Sequence, residues 1–177
     1  MARNIEIKAR IESIHSVLPK AAALADQDPV EISQDDTFFA CEKGRLKLRV
    51  FSPEKGEVIF YRRPNQRGPK ESFYVVSPTT FPDTLRETLS LAYGQVGRVR
   101  KQRILFLVGR TRVHLDRVEN LGDFLELEVM LTDGESVETG EAVARELMGK
   151  LGIRPDQLIE GAYVDLLILK TADAGLS

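Results

Sequence analysis

Glu126 and Glu128 stand two residues apart in the segment FLELEV, 124–129, with Leu125, Leu127 and Val129 interleaved. Alternation at period two predicts a β-strand. On a strand both carboxylates point to one face, roughly 7 Å apart. Two negative charges that close repel unless a cation joins them. The same parity recurs in other charged segments. Glu6 and Lys8 share a face with Asn4 and Arg10. Arg45, Lys47 and Arg49 share another, Lys101 and Arg103 a third, and Arg110, Arg112, His114 and Asp116 a fourth. Paired carboxylates supply hard oxygen ligands for Mg²⁺ or Mn²⁺. Rows of arginine and lysine supply charge-assisted hydrogen bonds to phosphate oxygens. The chemistry implied is the joint holding of a metal ion and a phosphate-rich polyanion.

Side chains on separate strands meet only if a sheet brings them together. Segments 3–11, 36–41, 45–51, 57–63, 71–76, 96–108, 111–118 and 124–129 all alternate as strands. Gly-, Pro- and Asn-containing turns separate several of them, and short connections favour antiparallel neighbours. Helices are expected over 13–25 behind a Ser13 cap, over 82–92 behind Pro82, and over 139–151, closed by Gly152. The segment from Pro155 to Lys170 adds one or two short helices, and 171–177 reads as a disordered tail. Opposite the charges, each strand carries an apolar face: Ile5 and Ile7, Leu46 and Leu48, Val113 and Leu115, Leu125 and Leu127. An open sheet with one wet face has this pattern too. Here, however, the polar positions are nearly all charged. The acidic ones lie on the first and last strands and the basic ones between. The fold class expected is therefore α+β, mainly β: a closed eight-stranded antiparallel β-barrel with helices packed outside and the charges aimed at one lumen.

The 177 residues suit a single domain, placed here at 1–170. The chain is 42% hydrophobic and 29% charged, with net charge −2, which gives no reason to expect a nucleic-acid partner. One cysteine, Cys41, excludes an intramolecular disulfide and a cysteine zinc cage. No apolar run is long enough for a secretory signal or a membrane span, so a cytoplasmic protein without a membrane partner is expected. His114 on a strand face suits hydrogen bonding or phosphate contact better than general-base work. Cys41 reads as a small apolar residue and His15 as an exposed helix residue.

The ordered set of charged segments resembles the CYTH superfamily, the triphosphate tunnel metalloenzymes, over about residues 3–168. That family opens with a Glu-x-Glu-x-Lys strand, read here as Asn4-Ile5-Glu6-Ile7-Lys8. RLKLR, VRKQRILF, HLDRV and LGDFLELEV follow in order, and GAYVDLL resembles a C-terminal tyrosine-bearing helix. The stretch from Val99 to Val129 is most similar to the class IV adenylyl cyclase-like branch. The resemblance implies an antiparallel tunnel, Mg²⁺ or Mn²⁺, and a small triphosphate substrate: ATP, thiamine triphosphate or inorganic tripolyphosphate. It implies Glu6, Asp116, Glu126 and Glu128 at the metal, and Lys8, Asp116, Glu126 and Glu128 in catalysis. Lys8, Lys47, Arg49, Lys101 and Arg103 would grip phosphate. Arg62 and Lys70 fall where the family has a lysine and an arginine. Arg45, Arg112 and His114 join the lumen by parity. Tyr163 is expected to close over the tunnel mouth. The activity implied is cyclisation of ATP to cyclic AMP and pyrophosphate, or triphosphate hydrolysis on the same machinery. Asn4 replaces the family's first glutamate. The alternative is therefore a non-catalytic module that binds triphosphate or polyphosphate or senses nucleotide. A homodimer is left open.

Overall fold

The computed structural model of the chain describes residues 2–175. Eight strands run in the order β1 (Ala2–Arg10), β2 (Val30–Phe39), β3 (Arg45–Ser52), β4 (Lys55–Arg62), β5 (Lys70–Thr79), β6 (Gln95–Val108), β7 (Thr111–Val118) and β8 (Gly122–Met130). They close into a barrel in the spatial order β1-β5-β4-β3-β2-β6-β7-β8. Every neighbouring pair is antiparallel. Tight turns make most of the sequential pairs. Gly109, at φ 54°, takes the left-handed backbone needed between β6 and β7. The expected α+β barrel with outer helices is the observed architecture.

The two crossovers carry helices. α1 (Ile14–Leu24) lies between β1 and β2, and α2 (Pro82–Tyr93) between β5 and β6. The Ser13 hydroxyl caps α1 by accepting from the Ser16 amide. Ser136 caps α3 (Val137–Lys150) in the same way through the Thr139 amide. A 3₁₀ turn at Pro155–Gln157 then leads to α4 (Tyr163–Gly175).

Alternation fixes which residues face where. On β1, β7 and β8 the odd residues Ile5, Ile7, Val113, Leu115, Leu125 and Leu127 turn outward and are fully buried. Val17 and Ala21 of α1 and Ala144 and Leu147 of α3 cover them. α3 approaches β1 so closely that a Cβ on Gly140 would stand 2.5 Å from Ile5. A smaller cluster, including Val99, Phe124, Tyr163 and Val164, packs α4 across one end of the barrel. A Cβ on Gly97 would stand 2.4 Å from Val164, so only glycine admits that helix.

Two boundaries differ most from expectation. β2 begins at Val30 rather than at residue 36, because ladder pairing with β6 extends back to Val30↔Leu105 through a stretch too polar to signal a strand alone. The tail expected to be disordered continues α4 as far as Gly175, and residues 176–177 lie outside the described residues.

Candidate functional site

Inside the barrel, strand register brings the charges face to face. Lys8 pairs with Glu126, and Glu6 with Glu128, across β1 and β8. His114 pairs with Glu126, and Arg112 with Glu128, across β7 and β8. The repulsion between Glu126 and Glu128 is therefore met from both sides. Lys8 Nζ lies 3.2 Å from Glu126, and an Arg112 guanidinium nitrogen lies 2.7 Å from Glu128. Arg103 stands 3.6 Å from Glu126. Burial would raise the Glu126 pKa, but the Lys8 ammonium first and the Arg103 guanidinium after it hold it well below the usual carboxylate range.

A second knot lies deeper. Asp116 is fully buried and takes two hydrogen bonds from Arg103 at 2.7 Å each and one from the Tyr163 hydroxyl at 2.8 Å. Lys101 stands 3.6 Å away. The Tyr163 ring carries Lys8 Nζ at 4.0 Å and Lys101 Nζ at 4.9 Å over its face. Against the cost of burial, Arg103 and Lys101 keep Asp116 ionised. Asp36 of β2 makes a third knot. It accepts from Lys47 at 2.9 Å and from Arg49 at 2.8 and 2.7 Å, and it too stays ionised despite burial.

The lumen encloses a cavity of about 280 Å³. Its lining holds seven cationic side chains against five carboxylates. His114, also in the lining, is held neutral: burial and Arg103 push its pKa down against the pull of Glu128 and Glu126. The cavity deepens toward α4, where Ala162 and Tyr163 floor it. Side-chain exposure runs from 36% at Arg112 and 16% at Glu128 to 4% at Lys101 and 0% at Asp116. Ile32, Phe51, Val76 and Leu105 line its more open part.

Among the described residues, one carboxylate–histidine group is close enough to share a metal ion: His114, Glu126 and Glu128, with ligand atoms within 4.8 Å of one another. That donor set fits a divalent cation. Buried polar atoms without hydrogen-bond partners also line the cavity, among them Asn4 Oδ1, Arg112 Nε and His114 Nδ1. Such atoms are rare in folded proteins, where water, an ion or a ligand satisfies them.

The structure places the other expected residues as follows. Lys8, Lys47, Arg49, Lys101, Arg103 and Arg112 line the lumen. Glu6 lines it but is ion-paired to Arg63 and stands apart from the metal-capable group. Asp116 is likewise outside that group, occupied by Arg103 and Tyr163. Lys70 is buried and donates to the Gln66 carbonyl at 3.1 Å. Arg62 is a correction: it is exposed on the outer wall over Phe73, and its neighbour Arg63 enters the lumen instead. Arg45 is a second correction. It is held by Asp165 of α4 at 3.0 and 2.6 Å, away from the cavity. Tyr163 closes the deep end of the tunnel rather than its mouth. Three charged residues of the lumen lining went unread as site candidates, Asp36, Glu57 and Arg63. The lumen parity of Asp36 with Gln34 and Phe38 was the available signal.

A closed antiparallel barrel whose lumen sets a metal-capable acidic wall against a basic one has the architecture of a tunnel protein. The sequence matches the CYTH domain over residues 2–163, and the chain belongs to that family. It is 26% identical over 167 residues to the adenylate cyclase CyaB of Aeromonas hydrophila, covering 90% of this chain and 85% of that one. A protein of Pyrococcus horikoshii OT3 superposes with a TM-score of 0.82 at 23% identity, covering 92% of this chain and 98% of that chain. The Hippeastrum adenylyl cyclase-like protein HpAC1, described as having a dominant triphosphatase activity, superposes with a TM-score of 0.65 at 16% identity, covering 96% of each chain. Among the described residues, no helix is long and apolar enough to cross a membrane.

Proposed function

We propose that this protein is a divalent-metal-dependent enzyme acting on the triphosphate tail of a small molecule held in the barrel lumen, with Mg²⁺ or Mn²⁺ as cofactor. The observation that carries this is the juxtaposition of Glu126, Glu128 and His114 with buried cations inside one cavity. The tail enters phosphate-first. Lys8, Lys47, Arg49, Arg63, Lys101 and Arg103 grip the distal phosphates, and the half-open wall at Ile32, Phe51 and Leu105 receives the organic group. Glu126 and Glu128 hold the cation. Asp116 fixes Arg103 and Tyr163 in place and so positions the grip rather than ligating metal. The bound cation supplies charge neutralisation at the phosphate oxygens. The chain's own cations offset the rest of the negative charge that develops at phosphorus.

The depth order favours cyclisation. Glu128 and Arg112 lie nearer the mouth than Lys101 and Arg103, beside the proximal rather than the terminal phosphate. In that reaction a ribose 3′-oxygen bonds to the α-phosphorus, the bridging bond to the β-phosphate breaks, pyrophosphate leaves and the hydroxyl proton passes to solvent. The similarity to CyaB supports it. Hydrolysis at the terminal phosphate is the second reading, favoured by the likeness to the Hippeastrum protein. Product analysis separates them. The protein is incubated with ATP, thiamine triphosphate or tripolyphosphate and either metal, beside Glu128→Ala. Cyclic AMP with pyrophosphate is the expected outcome, lost by at least about 10²-fold in the variant. Orthophosphate from any of the three selects the hydrolase. Tripolyphosphate binding without any product would overturn catalysis in favour of a binding module marked by Asn4.

A further inference from the structure

Glu6 and Asp116 carry the right charge for a metal, yet both are committed to arginines, Arg63 and Arg103. What remains free beside Glu126 and Glu128 is a nitrogen. His114 is 4% exposed and its Nδ1 has no hydrogen-bond partner. That atom lies 3.6 Å from Glu126 Oε1, too far for a hydrogen bond, and 4.0 Å from Glu128 Oε1. Lys8 and Arg112 sit on the Oε2 atoms of the same two carboxylates, and the Oε1 atoms turn toward the imidazole, with Arg103 also 3.6 Å from Glu126 Oε1. Two donors bound about 2.1 Å from one ion stand about 3.0 Å apart when adjacent and about 4.2 Å apart when opposite in octahedral geometry. Both nitrogen–oxygen separations lie inside that outer reach, and rotation of the carboxylates toward the ring brings the three donors, now within 4.8 Å of one another, onto one ion.

We propose that His114 is itself a metal ligand, and that its nitrogen makes the site select Mn²⁺, or another first-row transition cation, over Mg²⁺. The inference rests on the reading of the lumen as a metal-dependent triphosphate site and deepens it. An imidazole nitrogen is a poor donor for Mg²⁺, which demands oxygen, and a better one for transition ions. One imidazole nitrogen beside two carboxylate oxygens makes donor type the source of the selectivity. Its position supports this further: His114 is opposite Glu126 in the β7–β8 register, on a stretch of wall buried on both faces. That wall fixes the ring orientation that coordination requires.

The test uses the full chain and Mn²⁺ itself as probe, with and without tripolyphosphate. Free Mn²⁺ is followed by electron paramagnetic resonance, Mg²⁺ is the competitor, and pulsed measurements read coupling to a directly bound nitrogen. Wild type is expected to show that coupling and to prefer Mn²⁺ by about tenfold or more. His114→Gln, which keeps bulk but offers oxygen, should lose the coupling and about tenfold of the preference while still binding Mg²⁺. Glu128→Gln should weaken both ions. Bound Mn²⁺ without nitrogen coupling in wild type, or an unchanged preference in a folded His114→Gln, overturns the ligand assignment and leaves the proposed function standing. Failure of wild type to bind either ion, with tripolyphosphate present, overturns both. The wild-type coupling alone decides the matter if the variant does not fold.

Discussion

The barrel wall comes in two grades. β7 and β8 are buried on both faces at most positions, whereas β4 and β5 are half-open or exposed at most of theirs. α1 and α3 cover the first wall, and much of the second meets solvent directly. The candidate metal ligands His114, Glu126 and Glu128 stand on the thick wall. Lys47, Arg49 and Arg63 stand on or beside the thin one. The chemistry of each explains the difference. Coordination fails when a ligand strays by about half an ångström, so its scaffold must be stiff. Coulomb attraction to phosphate varies slowly with distance, so a cation on a softer strand still does its work.

Two buried aspartates put that contrast to its strongest test. Asp116 on β7 and Asp36 on β2 each hold a pair of cations. Asp116 is sealed from water, and its partner Arg103 is only 5% exposed. Asp36 is equally buried, but Lys47 and Arg49 retain 13% and 11% exposure. Removing one partner of a sealed pair leaves an uncompensated charge and costs about 3–5 kcal/mol. Asp116→Asn is expected to lose that much in urea denaturation. Asp36→Asn should lose clearly less, because its cations can reach solvent. Added tripolyphosphate should restore part of the Asp116→Asn loss, since phosphate supplies the missing charge to Arg103. Equal losses in the two variants would remove the distinction between the walls. Both carboxylates have depressed pKa values in the fold, so their contribution is fully present above the ordinary carboxylate range and is lost progressively as pH falls below that range toward the depressed values.

The outer faces give a smaller effect of the same kind. Leu127 is fully buried between Glu126 and Glu128, pointing away from them into the α1–α3 core. Leu127→Ala should cost about 2–5 kcal/mol and weaken metal binding along with stability. Val75 is the corresponding outward residue on β5 and is 49% exposed. Val75→Ala should stay within about 0.5 kcal/mol. Thermal melts with and without Mn²⁺ read both quantities. A Leu127→Ala protein with unchanged metal affinity would show that the thick wall stabilises the fold without steadying the ligands.

Period two made the strands legible, and with them the separation of charged and apolar faces. It placed Glu126, Glu128, Lys47, Arg49, Lys101 and Arg103 in the lumen, because parity within one strand is a local property. It failed where the answer depended on another strand. Adjacent Arg62 and Arg63 are chemically alike, and a one-residue slip exchanges inside for outside. Arg45 has the parity of Lys47, but Asp165, 120 residues away, claims it at the barrel's end. Asp116 looked like a metal ligand until register set Arg103 opposite it. The early half of β2, with Asp36 just beyond it, was hidden because pairing to β6, not apolar content, makes it a strand.

Lysine titration divides the walls more finely. Burial first, then Arg103, pushes Lys101 down to about 7, while burial with Arg49 takes Lys47 to about 8 and burial with Arg63 takes Lys70 to about 8. A bound polyphosphate favours the ammonium form, so binding near neutral pH draws in a proton. Affinity for tripolyphosphate should then fall by up to about tenfold as pH rises from about 7 to 9. Lys101→Arg, whose guanidinium stays charged, should flatten that decline. Stability of the unliganded protein should move the other way. The unfolded chain keeps its lysine protonated up to the ordinary value of 10.5, so between about 7 and 10.5 it binds more protons than the fold does. By linkage the fold gains stability as pH rises through that window. Isothermal titration and urea midpoints at the two pH values measure both slopes. If Lys101→Arg keeps the full decline in affinity, the proton uptake belongs to the thin wall, at Lys47 or Lys70, and the deep end of the tunnel is not where the titrating grip on phosphate lies.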